Sequence, residues 1–596
     1  MVMKIRHYLT YLISCLSFLC LLPGNADAQR FSVFGPDSRI PHNQFPLEKR
    51  FMWTPPVTKG GPVQSHKALV ILAQFNDVYL SYTKDKFNNM LNQYGYKESD
   101  ARDCAAKYLE DQFGYRFQID LAGVVTVSKE QKYYGGNDPK TKRDSHVGTF
   151  IAEACTLADQ QLEVDFSSYD EDGDGFVDHV FVFYAGEDEA QQSVNPNTGK
   201  RENEDLIWAH TARLKDTDYG SSLELDGVKV DLYACASELY RLPSGMDTMA
   251  PIGTFCHEFC HCLGLVDLYD TDYELSGGIA AGTWGKTSLM DTGNYNMNGT
   301  TPPNLNAIEL EILGIRMPED LSVGNYTLLP LGTQGSKTYR ILNPNDSTEY
   351  YLFECRDSTG WDSGIHGAGL LVYHIDKSPD IMMNSEVLGK SISSKERWEK
   401  YNEVNCCPGA LVSGTGKVEQ TKEKHQCADL VEADGRSDLN PTKQSLANIK
   451  GVFFPQVGVV AIGGEAAVKM PFWDGTFPNL AISNITCNGG SVSFKVTDVN
   501  SPLPPVPVDP PKDEDPLYIV VQYDAPLDHG LVPKGTTLTM YVSNTVGAKE
   551  EKWFFNNRAI GDPAAFKAES SGEIRAEIYR NDGNVDYVFK SIKVNQ

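Results

Sequence analysis

The segment GTFCHEFCHCLGLVD, residues 253–267, carries several polar residues at chemically meaningful spacings. His257 and His261 are four positions apart, so a helix would project both imidazoles from one face, where together they can hold one Zn²⁺. Glu258 follows the first histidine and would lie beside that cation, where a carboxylate can take a proton from water. An amphipathic helix with histidines aligned by chance shows the same short pattern, so the flanking residues are needed to choose.

The residues that follow the two histidines favour the metal site. Gly264 can end the helix in a left-handed conformation and turn the chain back. Asp267, six positions after His261, can then supply a third ligand. The sequence therefore predicts a zinc site made of His257, His261 and Asp267, with Glu258 as the general base.

A second segment, WGKTSLMDTGNY at residues 284–295, supports the first. Met290 lies 23 positions after Asp267, and metzincin peptidases place a tight turn containing Met beneath the zinc. We expect Met290 to form such a Met turn, although a lone Met is otherwise simply a core residue. Tyr295, just past this turn, and His210 in IWAH are candidates to assist catalysis, with structural packing as the alternative for both and the favoured one for His210.

Composition indicates a globular protein and disfavours binding to nucleic acid or to anionic lipid. The chain has 596 residues, of which 41% are apolar and 22% charged, as in ordinary globular proteins. Its 53 basic and 80 acidic residues leave a net charge of −27, which disfavours electrostatic binding of nucleic acid or anionic lipid. We expect neither a nucleic-acid partner nor stable membrane insertion.

The N-terminus is typical of an export signal. Lys4 and Arg6 precede an apolar run over residues 8–22, and Ala26-Asp27-Ala28 follows as a cleavage site. The apolar run of about 15 residues is short for a membrane anchor. Lipid attachment at Cys15 is disfavoured because the run continues beyond it. The sequence therefore predicts a secreted or periplasmic protein.

The pattern along the chain predicts a multidomain protein. An α+β catalytic domain is followed by short alternating strands such as EYYLFECR and GLLVYHID, and then by a Pro-rich stretch. The last strands fit a small immunoglobulin-like sandwich, through which the protein can contact a surface or a glycan. The predicted segments are signal peptide 1–28, irregular leader or short pro-segment 29–65, catalytic domain 66–317, β-sandwich 318–500, linker 501–515 and immunoglobulin-like β-sandwich 516–596.

An acidic loop upstream of the zinc motif resembles the front of a calcium-binding EF-hand loop. Carboxylates occupy its positions 1, 3, 5 and 9, with Gly175 at position 6 and the Phe176 carbonyl at position 7. Position 12 is Phe181 rather than Glu, and a strand follows, so a complete helix-loop-helix is not expected. An exposed acidic turn is the alternative, but converging carboxylates repel one another unless a cation is present. The predicted ligands of a structural Ca²⁺ are Asp170, Asp172, Asp174, the Phe176 backbone oxygen and Asp178.

The region from Ala68 to Gly314 resembles the immune inhibitor A family of secreted bacterial metallopeptidases, whose zinc motif is HExxHxxGxxD. The resemblance spans several blocks and about half of the expected mature chain: ALVILAQFND, EDQFGYRF, VDFSSYDEDGDGFVDHVFVFYAG, IWAH, GTFCHEFCHCLGLVDLYD, LMDTGNYN, TPPNLNAIELEILG and EYYLFECRDSTGWDSGIHGAGLLVYHID. Cys260 and Val266 depart from the small residue and the Pro that the family usually has there, but neither departure removes a ligand.

This resemblance implies a metzincin-like zinc endopeptidase that hydrolyses peptide bonds of proteins through metal-activated water, with Glu258 as general base. Two other interpretations remain open. One is an exported binding or adhesion protein on a degenerate peptidase scaffold, which the intact Glu258 disfavours. The other is a zinc hydrolase that acts on a non-peptide bond.

Overall fold

The computed structural model describes residues 66–139, 143–171, 173–192, 203–242, 244–269, 271, 285–385, 388–406, 420–433, 451–456, 458–499, 519–523, 531–542, 548–556, 558–581 and 584–595. Contacts divide the chain into two compact units, Met1–Val499 and Asn500–Gln596. The predicted signal peptide, leader and Pro-rich linker lie outside the described residues and stay predictions.

A five-stranded sheet organises the first part of the larger unit. Its order is β2-β1-β3-β7-β4, in which β1, β2, β3 and β7 run parallel and the edge strand β4 is antiparallel to β7. The strands are β1 His66–Gln74, β2 Phe117–Thr126, β3 Val180–Tyr184, β4 His210–Arg213 and β7 Leu232–Ser237. Two hairpins accompany the sheet: β5 Leu223–Leu225 with β6 Val228–Val230, and β8 Leu239–Arg241 with β9 Asp247–Met249.

Helices cover both faces of this sheet, because successive residues of a strand point to opposite sides. Leu69 and Ile71 of β1 pack into one core with helix α4, whereas Val70 and Leu72 pack into the other core with α1, α2 and α5. The α-helices are α1 Lys84–Asn92, α2 Ala105–Phe113, α3 Gln131–Gly135, α4 Val147–Leu162, α5 Ile252–Cys262, α6 Ala307–Ile312 and α7 Ser394–Glu396. Short 3₁₀ turns span Glu98–Asp100, Phe166–Tyr169, Glu189–Gln191, Leu214–Asp216, Gly285–Thr287, Thr292–Gly299 and Gly360–Gly364, and a π turn spans Arg397–Tyr401.

The second part of the larger unit is built from strands. A five-stranded sheet of order β10-β12-β13-β14-β17 shares a core with a three-stranded sheet of order β11-β19-β18. The strands are β10 Glu319–Asp320, β11 Gly324–Leu328, β12 Tyr339–Leu342, β13 Glu349–Arg356, β14 Gly369–Asp376, β17 Ala428–Leu430, β18 Leu480–Asn488 and β19 Ser491–Asp498, with a separate hairpin of β15 Met382–Ser385 and β16 Lys390–Ser393.

Every residue of β13 and β14 is buried, because the sheet has a core on each face. Tyr351 and Phe353 point into the core shared with the three-stranded sheet. Tyr350 and Leu352 point the other way, into the same core as the zinc-motif helix α5. The two parts of the larger unit are therefore joined by a continuous apolar interior.

The smaller unit contains two antiparallel sheets, of order β20-β21-β24 and β23-β22-β25-β26, around one core. Its strands are β20 Ile519–Tyr523, β21 Thr536–Val542, β22 Ala548–Phe555, β23 Arg558–Ile560, β24 Phe566–Ala568, β25 Gly572–Arg580 and β26 Val585–Ile592. The architecture thus mixes helices and strands as predicted, with a β-rich C-terminal part, although the sheet of the first part is mainly parallel rather than of the expected α+β type. The metzincin-like and immunoglobulin-like assignments stay predictions.

Several elements match the sequence expectations closely. The predicted strand Val180–Tyr184 is confirmed at its exact bounds, as are EYYLFECR and GLLVYHID.

Within the part of the chain that the structure describes, no helix is both long and apolar enough to cross a bilayer.

The start of α5 is fixed by a close approach between two backbones. A Cβ built on Gly253 would lie 1.9 Å from the Asn294 carbonyl oxygen and 2.9 Å from that of Gly299. These carbonyls belong to the turn that follows Met290, so only a residue without a side chain lets the helix rest on that turn.

We expect Gly253→Ala to lower the free energy of unfolding by about 1–3 kcal/mol, because a methyl group cannot enter this backbone contact. Denaturant unfolding measures the change. Gly561→Ala is the control, since its added Cβ would meet no atom within 4 Å. Equal stability of the two variants would contradict the described contact.

Candidate metal centre

Helix α5 carries both histidines of the zinc motif into the interior. All of its residues from Ile252 to Cys262 are buried. The rings of His257 and His261 lie with centroids 4.8 Å apart at an angle of 87°, on one face of the helix as their spacing predicted.

A turn after the helix brings Asp267 back to the histidines. Gly264 adopts a φ of +102°, and its backbone N–H donates to the His261 carbonyl at 2.9 Å. The predicted left-handed helix end is therefore confirmed. His257, His261 and Asp267 form a buried group whose ligand atoms all lie within 4.8 Å of one another.

Backbone carbonyls orient the two imidazoles. Nδ1 of His257 donates to the Leu289 carbonyl at 2.8 Å, and Nδ1 of His261 donates to the Leu265 carbonyl at 2.9 Å. Because a carbonyl can only accept, the proton resides on Nδ1 and Nε2 of each ring is directed at Asp267. Histidines that bind metal are held in this way, with the second ring nitrogen donating to a carbonyl or carboxylate.

The Asp267 carboxylate has one satisfied and one unsatisfied oxygen. Oδ2 accepts from the Asn402 amide at 2.6 Å, whereas the buried Oδ1 makes no hydrogen bond of good geometry. Oδ1 lies 3.3 Å from Nε2 of His257 and 3.2 Å from Nε2 of His261. Ligands about 2.0–2.2 Å from a tetrahedral zinc are about 3.3 Å apart, so these two imidazoles and this oxygen fit such a cation.

Electrostatics also favour a cation among these three groups. Burial opposes ionisation of Asp267, but the His261 and His257 imidazoles hold the pKa of its carboxyl well below the usual range. Burial likewise opposes charge on His257, yet the Asp267 carboxylate, whose Oδ1 lies 3.3 Å from Nε2, raises the pKa of that imidazole to about 9. The buried carboxylate thus attracts positive charge, and a metal ion and a proton compete for the same place.

Glu258 lies beside the group and is held by the edge strand β4. Thr211 Oγ1 lies 3.0 Å from Glu258 Oε2 and 2.8 Å from the Glu258 carbonyl oxygen. Burial raises the pKa of the Glu258 carboxyl, which makes it a better proton acceptor than an exposed carboxylate. Thr211 was missed by the sequence argument, although it directly follows the candidate His210.

Met290 lies in the turn that supports the histidines. It is fully buried, and its carbonyl accepts from the backbone N–H of Leu268 at 2.8 Å. Glu309 of α6 accepts from the Met290 backbone N–H at 2.9 Å and from Ser288 Oγ at 2.6 Å. The turn is thereby hydrogen-bonded both to Leu268, next to Asp267, and to Glu309 of helix α6.

The two candidate assisting residues differ in their surroundings. Tyr295 lies in the 3₁₀ turn after Met290, with its ring 6.4 Å from that of Tyr240. Burial, and then the Asp188 carboxylate, raise the pKa of its phenol well above the ordinary value, so the hydroxyl keeps its proton. Both ring nitrogens of His210 have protein partners, the Trp208 carbonyl at 2.6 Å and the Tyr233 hydroxyl at 2.8 Å, which favours the structural interpretation for His210.

None of the cysteines of α5, all of which are described, belongs to the buried ligand group of His257, His261 and Asp267. Burial raises the pKa of the Cys256 and Cys260 thiols well above the ordinary value, and it raises that of Cys262 as well. A thiol binds zinc as the thiolate, which these positions disfavour. Among the described cysteines no two form a disulfide.

A second buried group with ligand-type side chains, Asp376, His425 and Cys427, has different geometry. His425 Nε2 lies only 2.8 Å from Asp376 Oδ2, which is a direct hydrogen bond and about 0.5 Å too short for a metal between them. The same oxygen accepts from Ser394, and the other carboxylate oxygen accepts from the Ser378 backbone. A direct hydrogen bond therefore accounts for the proximity of His425 and Asp376.

The predicted calcium loop is compact and lined by its own amides. Asp170 accepts from the backbone N–H groups of Gly173 and Gly175 at 2.9 and 3.0 Å, and Asp174 accepts from that of Phe176 at 2.8 Å. Asp172 lies outside the described residues, and the described loop carboxylates do not form a group within ligand distance. The calcium site stays a prediction.

Comparison with known proteins supports the resemblance found in the sequence. Residues 56–317 match the family described as immune inhibitor A peptidase M6, catalytic domain. The chain is 30% identical over 220 residues to the pre-pro-metalloprotease PrtV of Vibrio cholerae, covering 33% of this chain and 22% of that protein. It is 25% identical over 278 residues to immune inhibitor A of Bacillus thuringiensis subsp. alesti, covering 41% of this chain and 39% of that protein. The matches thus span between about a fifth and two fifths of these relatives.

The neutral, buried His210 makes stability depend on pH. Burial lowers its pKa from 6.5 to about 4, so between these values the unfolded chain binds a proton that the folded chain does not. The neutral His210 thus contributes to the free energy of unfolding, and this contribution is fully present above pH 6.5. It is lost as the pH falls towards 4, by roughly 3 kcal/mol in total. His210→Gln should reduce the dependence of unfolding free energy on pH in this window, measured by urea unfolding. If the free energy of unfolding depended on pH equally in the variant and the wild type, the lowered pKa of His210 would be contradicted.

Proposed function

We propose that this chain, whose residues 56–317 match the immune inhibitor A peptidase M6 catalytic domain, is a zinc-dependent endopeptidase of that family. The observation that carries the proposal is the unsatisfied Asp267 Oδ1, buried between the Nε2 atoms of two carbonyl-anchored histidines. A buried charge in this position needs a compensating cation. Proteins and peptides are the proposed substrates, and the predicted export would place the activity outside the cytoplasm.

His257, His261 and Asp267 would hold the cation. Zinc in such a site acts as a Lewis acid that lowers the pKa of water and polarises a carbonyl. Glu258 would accept the proton of the attacking water and later deliver it to the leaving amine. The buried position of Glu258 and its contact with Thr211 support this role, because they fix the carboxylate beside the two histidines.

Tyr295 is the proposed donor to the oxygen of the scissile carbonyl. Its place in the turn Thr292–Gly299, directly after Met290, supports this role, because a phenol can donate a hydrogen bond to a developing negative charge. Met290 is proposed as the apolar floor of the site, supported by its complete burial and its bond to Leu268.

A structural Ca²⁺ in the loop from Asp170 to Asp178 is a further part of the proposal. The loop joins the 3₁₀ turn Phe166–Tyr169 to β3, and Asp178 accepts from the Glu171 backbone N–H at 2.8 Å. A cation bound there would fix the entry into β3 at the centre of the main sheet.

Cleavage of casein should require the metal and Glu258. We expect Glu258→Ala and Glu258→Gln to keep one bound zinc while kcat/KM falls by about 10²–10⁴-fold, because the base and the ligands are separate residues. Zinc content and casein hydrolysis, with and without chelator, measure the two effects. Turnover close to wild type, or cleavage that resists chelation, would overturn the proposal.

Calcium added to the metal-stripped protein should raise its melting temperature, since an ion that binds only the folded state stabilises it. Asp172→Ala combined with Asp174→Ala should remove this gain while leaving zinc content unchanged. An unchanged melting temperature of the wild type across millimolar calcium would reject the site.

A further inference from the structure

We infer that Asn402, which lies outside the peptidase match, is a positioning residue for Asp267 and thereby completes the metal centre. The inference rests on the proposed function, because it concerns how the third zinc ligand is held. It assigns a role in metal binding to a residue 135 positions away from Asp267 in the sequence.

Asn402 and Asp267 are joined by two hydrogen bonds that run in opposite directions. The Asn402 Nδ2 donates to Asp267 Oδ2 at 2.6 Å, and the Asp267 backbone N–H donates to Asn402 Oδ1 at 2.8 Å. Both side chains are buried, at 2% and 1% exposure. An amide has one donor group and one acceptor, and both are used on the same residue.

This pairing determines which carboxylate oxygen faces the histidines. The Cβ–Cγ bond of an aspartate rotates in a broad energy well, so an unsupported carboxylate can turn. Asn402 occupies Oδ2, which leaves Oδ1 as the oxygen near both Nε2 atoms. One oxygen is thus available to a cation before the cation arrives.

The segment around Asn402 is itself rigidly supported. Asn402 ends the turn Arg397–Tyr401 with a φ of 52°, a left-handed conformation that Asn tolerates better than most residues. The guanidinium of Arg397 is fully buried and donates to the Glu403 and Cys406 carbonyls and to the Glu403 carboxylate, at 3.1–3.3 Å. Charge-assisted bonds of this kind fix the backbone on both sides of Asn402.

Two more hydrogen bonds join this segment to the loop that carries Asp267. Thr271 Oγ1 donates to the Asn402 carbonyl at 2.8 Å, and Asn405 Nδ2 donates to the Leu268 carbonyl at 2.7 Å. These contacts hold the loop but do not touch the carboxylate. They therefore provide a matched control for the one contact that does.

The test compares Asn402→Gly with Asn405→Ala in the full chain. Glycine accepts the left-handed φ, so Asn402→Gly removes the side chain with little backbone strain. We expect its zinc affinity, measured by competition with a chelator, to fall about 10–100-fold, and the visible spectrum of its cobalt-substituted form to change. Asn405→Ala should lower the melting temperature but leave the zinc affinity and the cobalt spectrum within about twofold of wild type.

A measurement on the unmodified protein tests the same coupling without a variant. Because coupling between two sites is reciprocal, zinc should slow amide hydrogen exchange in residues 397–406 as well as in 257–267. Protection of 257–267 alone, or wild-type zinc affinity in a folded Asn402→Gly, would overturn the inference and leave the proposed function intact. Equal zinc binding by wild type and His257→Ala would instead overturn the proposed function, and the inference with it.

Discussion

The free-energy cost of burying the Asp267 carboxylate is the constraint that the surrounding contacts of the larger unit must meet. Asp267 is 1% exposed, and an ionised carboxylate taken out of water must be compensated by partners or by a cation. Asn402 satisfies one oxygen, and the two imidazoles face the other. Each imidazole in turn depends on a carbonyl, from Leu289 or from Leu265, so the segment before Met290 and the end of α5 both help to hold the histidines.

A second buried charge joins the Met turn to the strands. The Arg356 side chain of β13 is fully buried; it donates to Asp362 at 2.8 and 2.5 Å and to the carbonyls of Thr287 and Asn304 at 2.8 and 3.1 Å. Removing one partner from such a buried network leaves an uncompensated charge, which is strongly destabilising. Glu309 therefore holds the Met290 backbone, and Arg356 holds the backbone of Thr287 three residues earlier.

The sequence predicted what depends on local spacing. The face shared by His257 and His261, the left-handed Gly264 and the strand Val180–Tyr184 all follow from periodicity or from backbone sterics within a few residues. It did not predict Asn402, because nothing in its own neighbourhood shows that it lies beside Asp267. It also missed that β13 and β14 face two cores, because Glu349, Glu354 and Arg356 interrupt the apolar run of β13 although all three are buried.

The shared interior has a consequence for the proposed peptidase when it is surrounded by copies of itself. A protease attacks neighbouring molecules where a segment opens locally, and local opening is easiest where few buried contacts must be broken. Tyr350 and Leu352 lie in the same core as α5. Local unfolding of the sheet that carries β13 would therefore also expose the packing of the helix that bears the histidines. A molecule cleaved after opening at this junction would itself lose the arrangement of His257, His261 and Asp267.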